Sequence, residues 1–335
     1  MISLADTLQF VPFRLVQGTL ETPVAQLQLD SRKVSNGDAF VAIKGNEKDG
    51  HSFIPNAIEK GASVVICEDV PNEIPSHLTV VQLNETWRWL GRMASNFYGH
   101  PSTKMKVVAV TGTNGKTTTA TLLYELFRKL GYHVGLFSTV VNKIDDKEIP
   151  TNLTTPDAIT IHRLMAEMVA HGCTHVFMEA SSHALVQGRL NDVRLEGGVF
   201  TNITHDHLDY HKTFDNYIRA KKLLFDGLDD QAFALVNADD KRATIMLQNC
   251  RAVKYTYALK SMADFHGKVV SSSFDGLQMR IGEREVWFRL IGEFNAYNLL
   301  CIYATAVLLE EDRENILKKM SLLQPARGRF EQIVA

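Results

Sequence analysis

Apolar runs and amphipathic stretches alternate along the first hundred residues. DAFVAIKG (38–45) and ASVVICED (62–69) read as strands, with PNAIEKGA (55–62) between them as a helix. Asn84 offers an N-cap for a helix through WRWLGRMASNFYG that ends at Gly99. Gly99-His100-Pro101-Ser102-Thr103 follows, a breaker-rich stretch that predicts a domain boundary and hence domains 1–103 and 104–335.

From Lys104 the pattern changes to strand, glycine loop, helix, strand. KVVAV (106–110) is apolar without alternation, as a parallel strand covered on both faces should be. The next helix stops at Gly131 and HVGLF begins another strand. THVFME (174–179), GGVFTNI (197–203) and AFALVN (232–237) are further buried-strand candidates. The rhythm predicts an α/β fold: an N-terminal α/β domain, then a doubly wound, mostly parallel sheet of the phosphate-loop type. Between about 253 and 291 the runs shorten and alternate, predicting a small antiparallel extension, and a final helix over 295–310 precedes a short tail.

Composition narrows the class without naming a chemistry. Hydrophobic residues are 45% and charged residues 22% of 335, as in a soluble globular protein. A net charge of -2 gives no reason to expect nucleic acid or an anionic membrane as partner. The N-terminus, MISLADTLQFVPF, has neither a basic leader nor a cleavable apolar core, and no apolar run approaches a membrane span. A cytoplasmic enzyme, acting as a monomer, is the expectation. Cys67, Cys173, Cys250 and Cys301 lack C-x-x-C spacing and read as buried free thiols.

Chemistry enters with Thr111-Gly112-Thr113-Asn114-Gly115-Lys116-Thr117-Thr118, between a buried strand and a helix. Glycines let backbone N–H groups converge on phosphate oxygens, and the helix N-terminus adds positive potential. Lys116 would meet the terminal phosphates and Thr117 a Mg²⁺ ion. The generic pattern wants glycine where this chain has Val110.

Glu179 closes its strand at the carboxyl edge, where open α/β sheets bind ligands. Thr204-His205-Asp206-His207-Leu208-Asp209-Tyr210-His211 leaves the same edge, and imidazole with carboxylates beside a nucleotide suits Mg²⁺ or Mn²⁺ better than zinc. Thr213 can cap a helix from Phe214 to about Phe225, on which Phe214, Tyr217, Ile218, Leu224 and Phe225 form one stripe. Lys221 falls within that stripe. Two readings are open: the stem packs while the ammonium reaches water, or the amine points inward, loses its proton and can take up CO₂ as a carbamate.

With these motifs the sequence resembles the Mur ligases over essentially its whole length, in particular the branch that adds the third residue of the peptidoglycan stem. Thr111–Thr118 is similar to that family's own phosphate loop, which also lacks the first glycine. The resemblance implies that ATP binds Gly112, Thr113, Asn114, Gly115, Lys116, Thr117, Thr118, Asn295, Asn298 and Arg329. It implies that UDP-N-acetylmuramoyl-dipeptide contacts Ser31, Asn46, Thr154, Thr155, Ser181, Gln187 and Arg189. Two Mg²⁺ sites are implied, with Thr117 and Glu179 at the first, and His207 and carbamoylated Lys221 at the second. Lys116, Lys221 and His207 are the implied catalytic groups.

The implied reaction is ATP-dependent. The substrate carboxylate attacks the γ-phosphate to give an acyl phosphate, and the amino group of an amino acid displaces phosphate. The rivals are another amide ligase of the superfamily, similar to folylpolyglutamate synthetase, and a non-catalytic nucleotide-binding module. The family continues with an amino-acid-selecting third domain, and this sequence stops at Ala335. The resemblance therefore implies a chain that binds nucleotide with little turnover.

Overall fold

The computed structural model describes residues 2–45, 49–206 and 208–325. The chain divides into two compact units. The first comprises residues 1–101 with 157–166 and 187–193, and the second residues 102–156, 167–186 and 194–335.

In the first unit a five-stranded sheet has the order Arg14–Gln17, Thr79–Gln82, Val64–Cys67, Ala39–Val41, Leu27–Gln28. It is parallel except at Arg14–Gln17, which is antiparallel to its neighbour. Val64, Val65, Ile66 and Cys67 are all buried, which accounts for their unbroken apolar run. The helix expected after Asn84 spans Thr86–Phe97, but Asn84 does not cap it. Glu85 occupies the N-cap with φ 53°, and its side chain caps nothing. The open N–H of Thr86 is taken by the Glu68 carboxylate at 3.2 Å, from just beyond a neighbouring strand.

The second unit is built on an eleven-stranded sheet. Lys106–Thr111 lies between His175–Glu179 and Gly197–Phe200, both parallel to it. Val134–Phe137 flanks one side, and Phe233–Asn237 and Val253–Ala258 extend the other, all parallel. The expected antiparallel extension begins later than its sequence range. Val253–Ala258 runs parallel to its neighbour, and only Phe265–Ser273, Gly276–Ile281 and Arg284–Phe288 form the meander. Half-exposure of the Val253–Ala258 strand made it look alternating. At the opposite edge Asn142–Ile144 and Lys147–Ile149 add a hairpin.

Helix Lys116–Leu130 ends at Gly131, whose φ of 101° suits a residue without Cβ. Its Leu123 and Phe127 share a buried cluster with Val108, Phe177 and, from helix Glu293–Leu308, Leu299 and Ile302. The stretch read as a short tail contains a helix, Arg313–Met320, capped by the Asp312 carboxylate and buried through Ile316, Leu317 and Met320. All four cysteines are buried and free. No helix among the described residues is long and apolar enough to cross a membrane.

Candidate functional site

Strand register puts the chemistry at one edge of the second unit. Val110 pairs with Glu179 and Thr111 with Phe200, so the segments after all three strands emerge side by side. Gly112 and Gly115 have φ of 152° and 86°. A Cβ at Gly112 would lie 1.9 Å from the Thr201 hydroxyl. The neighbouring loop laces this one in place: Asn202 O accepts Thr113 N–H at 2.8 Å, Asn202 Oδ1 accepts Asn114 N–H at 3.0 Å, and Thr201 Oγ1 donates to Asn114 O at 2.6 Å. Thr118 follows in the first turn of the helix. Lys116 Nζ folds over the loop, donating to Gly112 O at 2.8 Å and Thr113 O at 2.9 Å.

Glu179 is fully buried. Its Oε2 accepts the Thr117 hydroxyl at 2.9 Å, and its Oε1 accepts Thr139 N–H at 2.6 Å and the Thr139 hydroxyl at 3.1 Å. Burial raises its pKa, against the hydrogen bonds from Thr139 and Thr117 and the charge of Lys116. A hydroxyl and a carboxylate at the mouth of a phosphate loop are hard oxygen donors and fit Mg²⁺.

Lys221 resolves the choice left open by periodicity: it points inward. Helix Phe214–Asp226 is capped by Thr213, whose hydroxyl accepts Asn216 N–H at 3.2 Å. Lys221 is 1% exposed, and its Nζ donates to Gly112 O at 2.7 Å, the same oxygen Lys116 uses. It lies 4.4 Å over the Tyr217 ring. Burial holds its pKa well below the usual lysine value, Lys116 lowers it further, and Asp206 opposes. Lys222, the next residue, is also buried and pairs with Asp226.

Thr155 and Ser181 lie beside this group. The Thr155 hydroxyl donates to Glu179 O at 2.7 Å and accepts Ser181 N–H at 3.2 Å, with half-buried Thr154 adjacent. His211 Nε2 is 2.9 Å from the buried Ser182 hydroxyl. Asn298 Nδ2 donates to Asn295 Oδ1 at 3.0 Å, and a Cβ at Gly115 would meet Asn298 Oδ1 at 2.6 Å, so this pair borders the phosphate loop. Between them opens a pocket of about 270 Å³. Asp239, Asp240 and Tyr297 also line it, although none of the three was singled out from sequence. Thr139 was missed too. Position was the available signal: Asp239 and Asp240 follow the strand Phe233–Asn237 after one intervening residue, as Thr139 follows Val134–Phe137.

Three expected substrate residues belong to the first unit. Ser31 is buried in the turn Ser31–Lys33, which Asp30 opens by accepting Arg32 N–H at 3.0 Å. Hydrogen bonding from the Arg32 side chain, above all, holds Asp30 down to about 2. Arg189 Nε donates to Gln187 Oε1 at 2.9 Å. Asn46, His207 and Arg329 lie outside the described residues.

Comparison with known proteins finds two family models: "Mur ligase family, catalytic domain" over residues 23–98 and "Mur ligase middle domain" over 110–306. The chain is 54% identical over 335 residues to a UDP-N-acetylmuramoyl-L-alanyl-D-glutamate--2,6-diaminopimelate ligase of Cytophaga hutchinsonii, covering all of this chain and 69% of that one. A protein of the same name from Parabacteroides distasonis is 48% identical, with 99% of this chain and 68% of that one covered. A solved structure of a ligase so named superposes with a TM-score of 0.87 at 28% identity, over 100% of this chain and 69% of the other.

Proposed function

The chain belongs to the Mur ligase family, and on that premise we propose that it carries out the ATP-dependent addition of the third amino acid to UDP-N-acetylmuramoyl-L-alanyl-D-glutamate in peptidoglycan synthesis. The relatives are named for 2,6-diaminopimelate, which is the amino acid we assign. Residues 1–103 would take the UDP-sugar and 104–335 ATP, with the reaction in the cytoplasm.

The observation that carries this reading is the convergence of Thr117, Glu179, Lys116 and Lys221 on one glycine loop. A carboxylate must approach a phosphate chain, so cations govern the barrier. Lys116, now bonded to its own loop, would turn to the terminal phosphates. The loop N–H groups would orient them for attack. Thr117 and Glu179 would hold one Mg²⁺, and carbamoylated Lys221 with His207 a second; bound metal supplies charge neutralisation. Thr139 would keep Glu179 aimed. Thr155 and Ser181, beside Glu179, would face the muramoyl peptide, with Gln187, Arg189, Ser31 and Asn46 as its further contacts. Asn295, Asn298 and Arg329 would hold the rest of ATP.

Lys116→Ala is expected to abolish or severely weaken binding of a non-hydrolysable ATP analogue without unfolding the chain. Calorimetry beside a thermal melt checks both parts, and unchanged affinity removes the phosphate-loop assignment.

A further inference from the structure

The segment that carries Gln187 and Arg189 packs with one unit while its neighbours in sequence pack with the other. Residues 187–193 belong to the first unit, whereas 167–186 and 194–335 on either side belong to the second. Whatever fixes the segment within the first unit therefore also aims these two side chains. Arg189 is the second residue of a tight turn, which Asn191 N–H closes by donating to Gly188 O at 3.0 Å. The turn orders its own side chains, since Gln187 Oε1 accepts Arg189 Nε at 2.9 Å and Nη2 at 2.6 Å.

Both ends of this turn rest on helix Thr86–Phe97. At one end, a Cβ on Gly188 would meet the Trp87 ring at 3.3 Å. At the other, the backbone comes so near that a Cβ on Gly91 would lie 2.2 Å from Asn191 O. Asn191 Nδ2 donates to Arg88 O at 3.3 Å, and Arg92 Nε to Asp192 Oδ1 at 2.6 Å, a partly buried and charge-assisted bond. Trp87, Arg88, Gly91 and Arg92 are spaced three and four residues apart and share one face of the helix. Leu90, Met93, Ala94 and Phe97 occupy another face, in the core of the unit. Glycine is a poor residue for a helix interior, and the core face does not call for it here. The Asn191 backbone does.

Resting on the proposed UDP-sugar site, we infer that helix Thr86–Phe97 is the positioning element for Gln187 and Arg189, with Gly91 and Arg92 as its positioning residues. Gly91 admits the Asn191 backbone and sets how closely the turn lies on the helix. Arg92, through Asp192, sets where along the helix it lies. Neither touches substrate; they act through Arg189, whose guanidinium suits the anionic oxygens of a UDP compound.

Calorimetry beside a thermal melt tests this with two probes, UDP-N-acetylmuramoyl-L-alanyl-D-glutamate and a non-hydrolysable ATP analogue with Mg²⁺. Gly91→Ala adds one methyl group to a helix that alanine otherwise favours. It should weaken the UDP compound about tenfold, the size of a lost hydrogen bond to a charged group, and leave the ATP analogue within about twofold. Arg92→Ala and Asp192→Ala should each weaken the UDP compound by a similar factor, and combining them should add little, because they remove one bond. In an Arg189→Ala background, Gly91→Ala or Arg92→Ala should cost no more than about twofold further, as residues acting through Arg189 must. Full affinity for the UDP compound in Gly91→Ala and Arg92→Ala overturns the inference. So does a loss in Arg92→Ala with none in Asp192→Ala, which makes Arg92 a direct contact. Equal weakening of both probes with a lower melting point also overturns it, since that marks a merely structural role. Should Gly91→Ala fail to fold, the Arg92 and Asp192 variants decide alone. A native chain that does not bind the UDP compound, or Arg189→Ala that binds it as tightly as the native chain, is a different result. It removes the substrate reading, and this inference with it.

Discussion

Lys221 shows what a single residue can and cannot announce. Its place on an apolar stripe was visible from helical spacing, but periodicity gives an angle around a helix and no information about what lies opposite. Gly112 O and the Tyr217 ring lie opposite, so the amine is enclosed instead of reaching water. The same gap hid Thr139, which meets Glu179 from just beyond the end of a different strand. An enclosed lysine whose pKa is lowered by burial carries more neutral amine, the form that reacts with CO₂. Lys221 is therefore expected to form a carbamate at neutral to mildly alkaline pH in bicarbonate. A ¹³C resonance from labelled bicarbonate, absent in Lys221→Ala, is the readout. No such signal in metal-loaded, bicarbonate-saturated protein sinks the assignment. Lys221→Ala should remain folded, since it removes a desolvated amine along with its bond to Gly112 O.

Elements were more legible than their ends and partners. Strands covered on both faces, such as Lys106–Thr111 and His175–Glu179, stood out because nothing polar interrupts them. Helix Phe214–Asp226 was legible because Thr213 caps it with its own side chain. Helix Thr86–Phe97 was misread at its start because its cap comes from Glu68, eighteen residues away in sequence. Local spacing holds no trace of such a bond. Glu68→Ala should then cost about 1 kcal/mol in urea unfolding, as loss of an N-terminal cap does, whereas Asn84→Ala should change little. The reverse order of effects would restore Asn84 as the cap.

At the scale of the molecule, the two units share one vulnerability. Each encloses a histidine that folding keeps neutral. His162 in the first unit is fully buried. Burial holds its pKa to about 4, opposed by the Asn191 backbone and reinforced by His100 nearby. His175 in the second unit lies with its ring tilted against that of Phe127, centroids 4.7 Å apart, and burial with the charge of Lys106 likewise holds it to about 4. Both values lie below the 6.5 of an ordinary histidine. The unfolded chain therefore binds protons before the folded one does. The stabilisation is complete above about pH 6.5 and is lost as pH falls towards 4, by a few kcal/mol per histidine. Carboxylates held low, such as Asp239 at about 2, begin to lose their contribution only below about pH 4, which leaves the upper window to the histidines. Urea midpoints at pH 7, 5.5 and 4.5 should fall steadily. In His162→Gln the midpoint at pH 7 should drop through lost packing, but the further decline to pH 4.5 should be shallower than in the native chain. A parallel decline in both proteins would mean that His162 does not control the acid response, however deeply it is buried.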